Sequence, residues 1–343
     1  MIHGGDIYGK TIEYDLSVNL NPNPCPKEIR ASLERAIDDV GKYPDIAQRD
    51  FRCAVAEAEN KLVKCSFLTA DNILGGNGAS ELIFAIIRLI TPKNVVLPVP
   101  GFYGYRHGLK ALEGVNIREY RLREEEDYAL TDDFAREIKE DTDLVILTNP
   151  NNPTGRAIPG QVLDTVLQKC ASVGAAVLID ECFLHLSDGA ESAVRYLKDI
   201  PNLFIVNAYT KLFGIPGVRI GYCMGACENI DRLKACVPEW NMSVFALEAG
   251  RACAKYIVDT DYVALSKEII ADRRQELAKF LESRKIKAYP SDTCYVLVRT
   301  EDDLYNNLFD KKVLIRDCSN FEGLSKGYYR ISVAGSRILP DIF

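Results

Sequence analysis

Apolar residues along this chain follow two rhythms. Between about residues 46 and 225, short continuous apolar runs alternate with helical patterns. The runs are NVVLPV (94–99), DLVILT (143–148), AAVLID (175–180), LFIVNA (203–208) and RIGYCM (219–224). A strand buried on both faces reads as such a run rather than as strict alternation. Strands of this kind separated by helices predict a mostly parallel sheet covered on both faces. Residues 27–39 predict a short amphipathic helix, closed by Gly41 and Tyr43-Pro44, and 244–284 predict a strongly helical stretch with charges at i, i+4 spacing. Nearer the end, YVLVRT (295–300), KVLIRD (312–317) and YYRISV (328–333) predict strands of a smaller α+β unit. Residues 1–26, rich in Gly, Asn and Pro, predict an irregular arm. The expected fold is therefore α/β, with a large domain and a smaller α+β domain drawn from both chain ends. The expected divisions are an arm and part of the small domain at 1–44, a large domain at 45–236, and a connecting helix with the rest of the small domain at 237–343.

Bulk properties narrow the function classes. A chain of 343 residues suits one large and one smaller domain. A formal net charge of -7, with no Lys/Arg run interleaved with aromatics, argues against a nucleic-acid partner. The 11 cysteines are scattered without a CxxC or Cys/His cluster, so reduced thiols are expected and no metal site. MIHGGDIYGK has no apolar core of a signal peptide, and no stretch approaches membrane-spanning length, so no membrane partner and a cytoplasmic location are expected.

Ligands of open α/β sheets bind outside the carboxyl ends of the strands, and distinctive residues fall there. DLVILT runs into NPNNPTG (149–155), AAVLID ends on Asp180, LFIVNA leads to Lys211, and GGNGAS (75–80) opens a helical pattern. A lysine just past a strand is ordinarily solvated. Held in an apolar pocket, its amine loses protons more readily and forms imines. Thr210 and Arg219, in AYTKLFGIPGVRIGY (208–222), suit a phosphate dianion. Asp180 alone can also be read as a helix cap, and Asn152, before Pro153, as a turn residue.

The lysine segment, NPNNPTG and Asp180-Glu181 together resemble, in order and spacing, the fold-type-I pyridoxal-phosphate enzymes of the aspartate aminotransferase superfamily. The resemblance implies a large domain whose mostly parallel sheet is of the seven-stranded type, with pyridoxal 5'-phosphate as cofactor and Lys211 as its Schiff-base lysine. It also implies that Asp180 pairs with the pyridine nitrogen and Asn152 with the ring's phenolic oxygen. Gly78, Ala79, Ser80, Thr210 and Arg219 would hold the phosphate, with Phe102 stacked on the ring. Tyr43 resembles a tyrosine that reaches a phosphate across a dimer interface, so a homodimer is expected. Where many aminotransferases carry a tyrosine three residues after the aspartate, this chain has Phe183.

Within the superfamily, residues 3–337 most resemble two families: L-threonine-O-3-phosphate decarboxylase of cobalamin biosynthesis and histidinol-phosphate aminotransferase. His3-Gly4-Gly5, DLSVNLNP (15–22), Ile215-Pro216-Gly217 and VLIRDCSNFEGL (313–324) with YYR (328–330) are similar to the decarboxylase. The ending ISVAG (331–335) is closer to the aminotransferase, and the final amphipathic helix usual in both is not expected before Phe343. Carried over by position, the substrate-binding residues are His3, Gly4, Asn19, Asn152, Arg316 and Arg330, and the substrate is a small phosphorylated amino acid or amino alcohol. Decarboxylation leads, with transamination second. A cofactor-binding module without catalysis is a third reading, which intact Lys211, Asp180, Asn152 and Arg219 oppose.

Overall fold

The computed structural model describes residues 4–343. Its centre is a seven-stranded sheet. The strands are β1 (Ile73–Asn77), β2 (Asn94–Val99), β3 (Asn116–Arg121), β4 (Leu144–Thr148), β5 (Ala176–Asp180), β6 (Leu203–Asn207) and β7 (Ile220–Gly225). They lie in the order β1-β7-β6-β5-β4-β2-β3. Only β7 runs against its neighbours, pairing antiparallel with both β1 and β6.

The apolar runs explain why both faces are covered. Side chains alternate across a strand. Val145, Leu147, Val177, Ile179, Leu203 and Ile205 therefore pack on one face, with Leu163, Val166 and Leu167 of the helix Gly160–Val173. Leu144, Ile146, Ala176, Leu178, Phe204 and Val206 pack on the other, with Leu82, Ile83 and Ile86 of the helix Ala79–Ile90. Each such buried Val, Leu, Ile or Phe side chain stabilises the fold by about 1.5–3 kcal/mol relative to exposure.

A second, smaller sheet pairs Arg316–Asp317, Tyr328–Ser332, Tyr295–Arg299 and Lys287–Ala288 in that order. Val296, Val298, Tyr329 and Ile331 bury one of its faces under Leu277 and Leu281 of the 22-residue helix Tyr262–Ser283. The amino-terminal arm joins this layer: Tyr14–Asp15 pairs in parallel with Val313–Leu314, and Leu16 enters the same core.

Some expectations need correction. KVLIRD is not one strand, because Val313–Leu314 and Arg316–Asp317 pair with different partners on either side of Ile315. The arm carries a two-residue strand, and the 27–39 helix is α-helical only over Lys27–Arg35 before tightening to a 3-10 turn. The helical stretch 244–284 is two helices, Val244–Asp259 and Tyr262–Ser283. Only a four-residue helix, Leu339–Ile342, ends the chain.

Candidate active site

Sheet topology gathers the candidate residues along one edge. Strands β4, β5 and β6 are parallel neighbours with Thr148 registered to Asp180 and Asp180 to Val206, so the three loops that follow them emerge side by side. Strand β1 runs with them and delivers Asn77-Gly78 to the same edge. Antiparallel β7 begins there, with Ile220 opposite Asn77, which brings in Arg219 from the other direction. The cavity at this edge encloses about 220 Å³. Gly4, Asn19, Ala79, Ser80, Phe102, Asn152, Asp180, Thr210, Lys211, Arg219, Arg316 and Arg330 all line it.

Lys211 sits in the one-turn helix Tyr209–Leu212 directly after β6. Burial lowers the pKa of its amine, and the nearby Arg330 guanidinium pushes it the same way. The arm clamps this turn: Asn21 donates its backbone N–H to the Lys211 carbonyl at 3.0 Å and its side-chain amide to the Leu212 carbonyl at 2.8 Å. Phe183 lines the cavity, with its ring centroid 6.0 Å from Lys211 Nζ and 5.0 Å from that of Tyr295 in a T-shaped contact. No phenol stands at that position.

Asp180 is buried with both oxygens engaged. Tyr105 OH donates to Oδ2 at 2.8 Å and the Cys182 N–H to Oδ1 at 3.0 Å. In the NPNNPTG loop the asparagines divide the work. Asn149 accepts the Ile158 N–H at 2.9 Å and Asn151 accepts the Thr154 hydroxyl at 3.1 Å, which shapes the loop. Asn152 is left facing the cavity, where its Oδ1 accepts from Arg330.

At the start of the helix Ala79–Ile90, Gly78 has φ +75, and a Cβ there would stand 2.4 Å from Arg219 Nη2. Gly221 is as constrained, since its Cβ would meet the Ala79 nitrogen at 2.4 Å. The two glycines let the guanidinium and the first helical N–H groups close on one point. This is an anion cradle by charge and by dipole. On the opposite wall Arg330 donates to the Ser17 carbonyl at 2.8 Å. Arg316 donates to Asn320 Oδ1 at 2.8 Å, and its guanidinium carbon lies 5.0 Å from the Phe321 ring centroid.

The structure does not bring Tyr43 to this cavity within one chain. It is 82% exposed and packs against Trp240 with ring centroids 4.9 Å apart. His3 lies outside the described residues. Ser17, Tyr105, Thr148, Cys182 and Phe321 belong to the site or its immediate support and escaped sequence reasoning. Tyr105 alone carried a signal, one helical turn after Phe102 and beyond the end of a buried strand. Among the described residues no group of three or more His, Cys, Asp or Glu could hold a metal ion, and all 11 cysteines are free thiols.

A buried amine on a strand-end turn, beside a carboxylate on the adjoining strand end and across from an anion cradle, is the arrangement of pyridoxal-phosphate enzymes with the aspartate aminotransferase fold. The residues present fit that cofactor. The cradle is one that a Cβ at Gly78 would fill, and Asn19 Oδ1 and Arg330 Nε are buried at the cavity without partners. The chain belongs to the aminotransferase class I and II family, whose model matches residues 11–337. It is 29% identical to the threonine-phosphate decarboxylase of Salmonella typhimurium, over 93% of this chain and 86% of that protein. A provisionally named threonine-phosphate decarboxylase of Caldanaerobacter subterraneus is 34% identical over 96% of this chain and 89% of its own length. Among solved structures, the histidinol-phosphate aminotransferase of Clostridium acetobutylicum superposes with a TM-score of 0.82 at 28% identity, covering 96% of this chain and 98% of that one. The enzyme is pyridoxal-phosphate dependent.

Proposed function

We propose that this chain is a decarboxylase of L-threonine O-3-phosphate. The observation that carries the reading is a buried like-charge pair. Arg316 and Arg330 are direct cross-strand partners, both buried, and both line the cavity that holds Lys211. Opposed like charges destabilise a sheet. Burial lowers the pKa of the Arg316 guanidinium, and Arg330 beside it lowers it further. Such a pair is stabilised by a substrate carrying two anionic groups, and guanidinium forks suit both a carboxylate and a phosphate. The similarity to the two decarboxylases supports the same reading.

When bound, the pyridoxal ring supplies an electron sink for the bond that breaks at the substrate's α-carbon. The chain's own residues do the rest. Ala79 and Ser80 N–H groups, Thr210 and Arg219 would hold the cofactor phosphate, Asp180 the ring-nitrogen proton, and Asn152 the phenolic oxygen, with Phe102 against the ring. Lys211, whose amine burial makes easier to deprotonate, would be the residue that joins the cofactor and would then be free to carry a proton at the substrate's α-carbon. Gly4, Asn19, Arg316 and Arg330 orient the substrate. The orientation they impose would decide between loss of the carboxylate and loss of a proton. With Phe183 where a tyrosine could stand, the phenolic oxygen would have one donor fewer.

Incubation with O-phospho-L-threonine is expected to release carbon dioxide and aminopropanol phosphate. Glutamate from histidinol phosphate plus 2-oxoglutarate, with no carbon dioxide from the first substrate, would establish the aminotransferase alternative. We further propose a homodimer, supported by exposed Ile37, Val40, Tyr43, Ile46 and Trp240 near the entry to the helix Arg49–Leu62. A monomer of full activity in sedimentation would contradict it. The free thiols fit a reducing compartment, the cytoplasm. No helix among the described residues is long and apolar enough to cross a membrane.

A further inference from the structure

A second convergence of side chains lies outside the cavity, where the two sheets meet. Glu124 stands in the 3-10 turn Glu124–Glu126, on the connection that leaves the edge strand β3. Its Oε1 accepts from Lys287 Nζ at 2.8 Å and from Tyr289 OH at 2.7 Å. Its Oε2 accepts from Arg299 at 3.0 Å and from Tyr328 OH at 3.1 Å. All four donors belong to the small sheet or its flank. Beneath the carboxylate the rings of Tyr289 and Tyr328 stack at 6.2 Å, with Tyr128 edge-on to Tyr289 at 5.1 Å. Tyr128 OH donates to Tyr328 OH at 2.9 Å, which leaves the Tyr328 proton for Glu124.

The backbone is bent to make this cluster. Asp127 and Tyr128 have φ of 49 and 56, a left-handed pair that a tyrosine keeps only where its surroundings enforce it. Tyr128 also shares a small internal cavity with Thr148 and Asn151, so the cluster backs directly onto the loop that carries Asn152.

Strand geometry ties the cluster to the active site. Tyr328 and Arg330 are two apart on one strand and point to the same face. Arg299 is the cross-strand partner of Tyr328, and Leu297 that of Arg330. Fixing Tyr328 and Arg299 therefore fixes the strand one pleat from the guanidinium that reaches Asn152 and Ser17. Lys287 and Arg299 are about half exposed and contribute little singly. Tyr289 and Tyr328, buried side chains whose hydroxyls both reach the carboxylate, carry more of the hold.

We propose that Glu124 is a positioning residue for Arg330, clasping the small sheet to the large one and so setting how deeply the guanidinium enters the cavity. The inference rests on Arg330 holding an anionic group of the substrate. Steady-state kinetics of the holoenzyme with O-phospho-L-threonine test it, with Arg330→Ala as the control. Glu124→Ala should raise KM about tenfold while kcat stays within about threefold. Glu124→Gln, whose single amide oxygen can still accept from Tyr328, should recover part of the loss. If Arg330→Ala raises KM and Glu124→Ala does not, Glu124 is a tether without influence on the site and the inference falls. If Arg330→Ala also leaves KM unchanged, the reading of Arg330 falls and takes the inference with it. Should Glu124→Ala fail to fold, Tyr328→Phe removes a single hydroxyl. It should raise KM about threefold, and an unchanged KM would overturn the proposal.

Discussion

Asp180 is surrounded by donors whose protons can be placed one by one. A carboxylate only accepts, so the 2.8 Å contact assigns the single Tyr105 hydroxyl proton to Asp180 Oδ2. Thr148, 2.7 Å from the same hydroxyl, must then donate to Tyr105. The relay holds Asp180 at a fixed rotation with a lone pair left for a ring N–H. A buried hydrogen bond to a charged group contributes about 1.5 kcal/mol or more. Tyr105→Phe is therefore expected to weaken cofactor binding about tenfold by fluorescence titration of the apoenzyme. Unchanged affinity would remove Tyr105 from the account. Glu181, the next residue, behaves differently. Burial pushes its carboxyl up to about 8, although the Ala193 N–H at 2.7 Å and the Ser192 hydroxyl at 2.8 Å favour the charged form. Between about pH 4.5 and 8 the folded chain thus keeps a proton that the unfolded chain has lost. Its contribution to stability is full below that window and falls as pH rises through it. Thermal unfolding of the apo Glu181→Gln variant should gain on wild type as pH increases from about 4.5 to 8. A constant offset across that range would contradict the assignment.

The elements most legible in the sequence were the ones buried on both faces. Strands β2, β4, β5, β6 and β7 read directly as apolar runs, because no polar alternation is tolerated between two helical layers. The two edge strands were missed. In β3, Asn116–Arg121 carries charged residues as an exposed edge requires, and it looks like a loop in sequence. In β1 the run ILGGN holds two glycines in five residues, and they drew attention to the helix start instead. The reading of GGNGAS as an anion cradle requires Gly78 at the first turn of the helix, which is where β1 delivers it. Gly78→Ala tests the cradle. The new methyl would meet the Arg219 guanidinium, and φ +75 is strained for alanine. We expect at least a tenfold loss in cofactor affinity with a stability loss of about 1–2 kcal/mol. Wild-type cofactor affinity in that variant would place the phosphate elsewhere.

On the scale of the whole molecule, the site is made from parts distant in sequence. Ser17 and Asn19 of the arm, Lys211 of the large sheet and Arg330 of the small sheet meet in one cavity, and Arg330 links the first and last of these through its bond to the Ser17 carbonyl. The proposed cofactor residues that line the cavity were legible because most lie within a few positions of an apolar strand, and their neighbourhood is then a matter of sheet order. Thr148 and Ser17 were not, because a hydroxyl acquires its role only from the partner that tertiary packing brings to it. The clasp at Glu124 was invisible for the same reason: its donors lie more than 160 positions away.

All of this turns on Lys211 as the residue to which the cofactor is joined. Borohydride reduction of the holoenzyme, followed by peptide mass mapping, tests that assignment. The reduced cofactor is expected on the peptide containing Lys211 and on no other, and Lys211→Ala should carry none after the same treatment. A reduced adduct on a different lysine, or one retained in Lys211→Ala, would contradict the account.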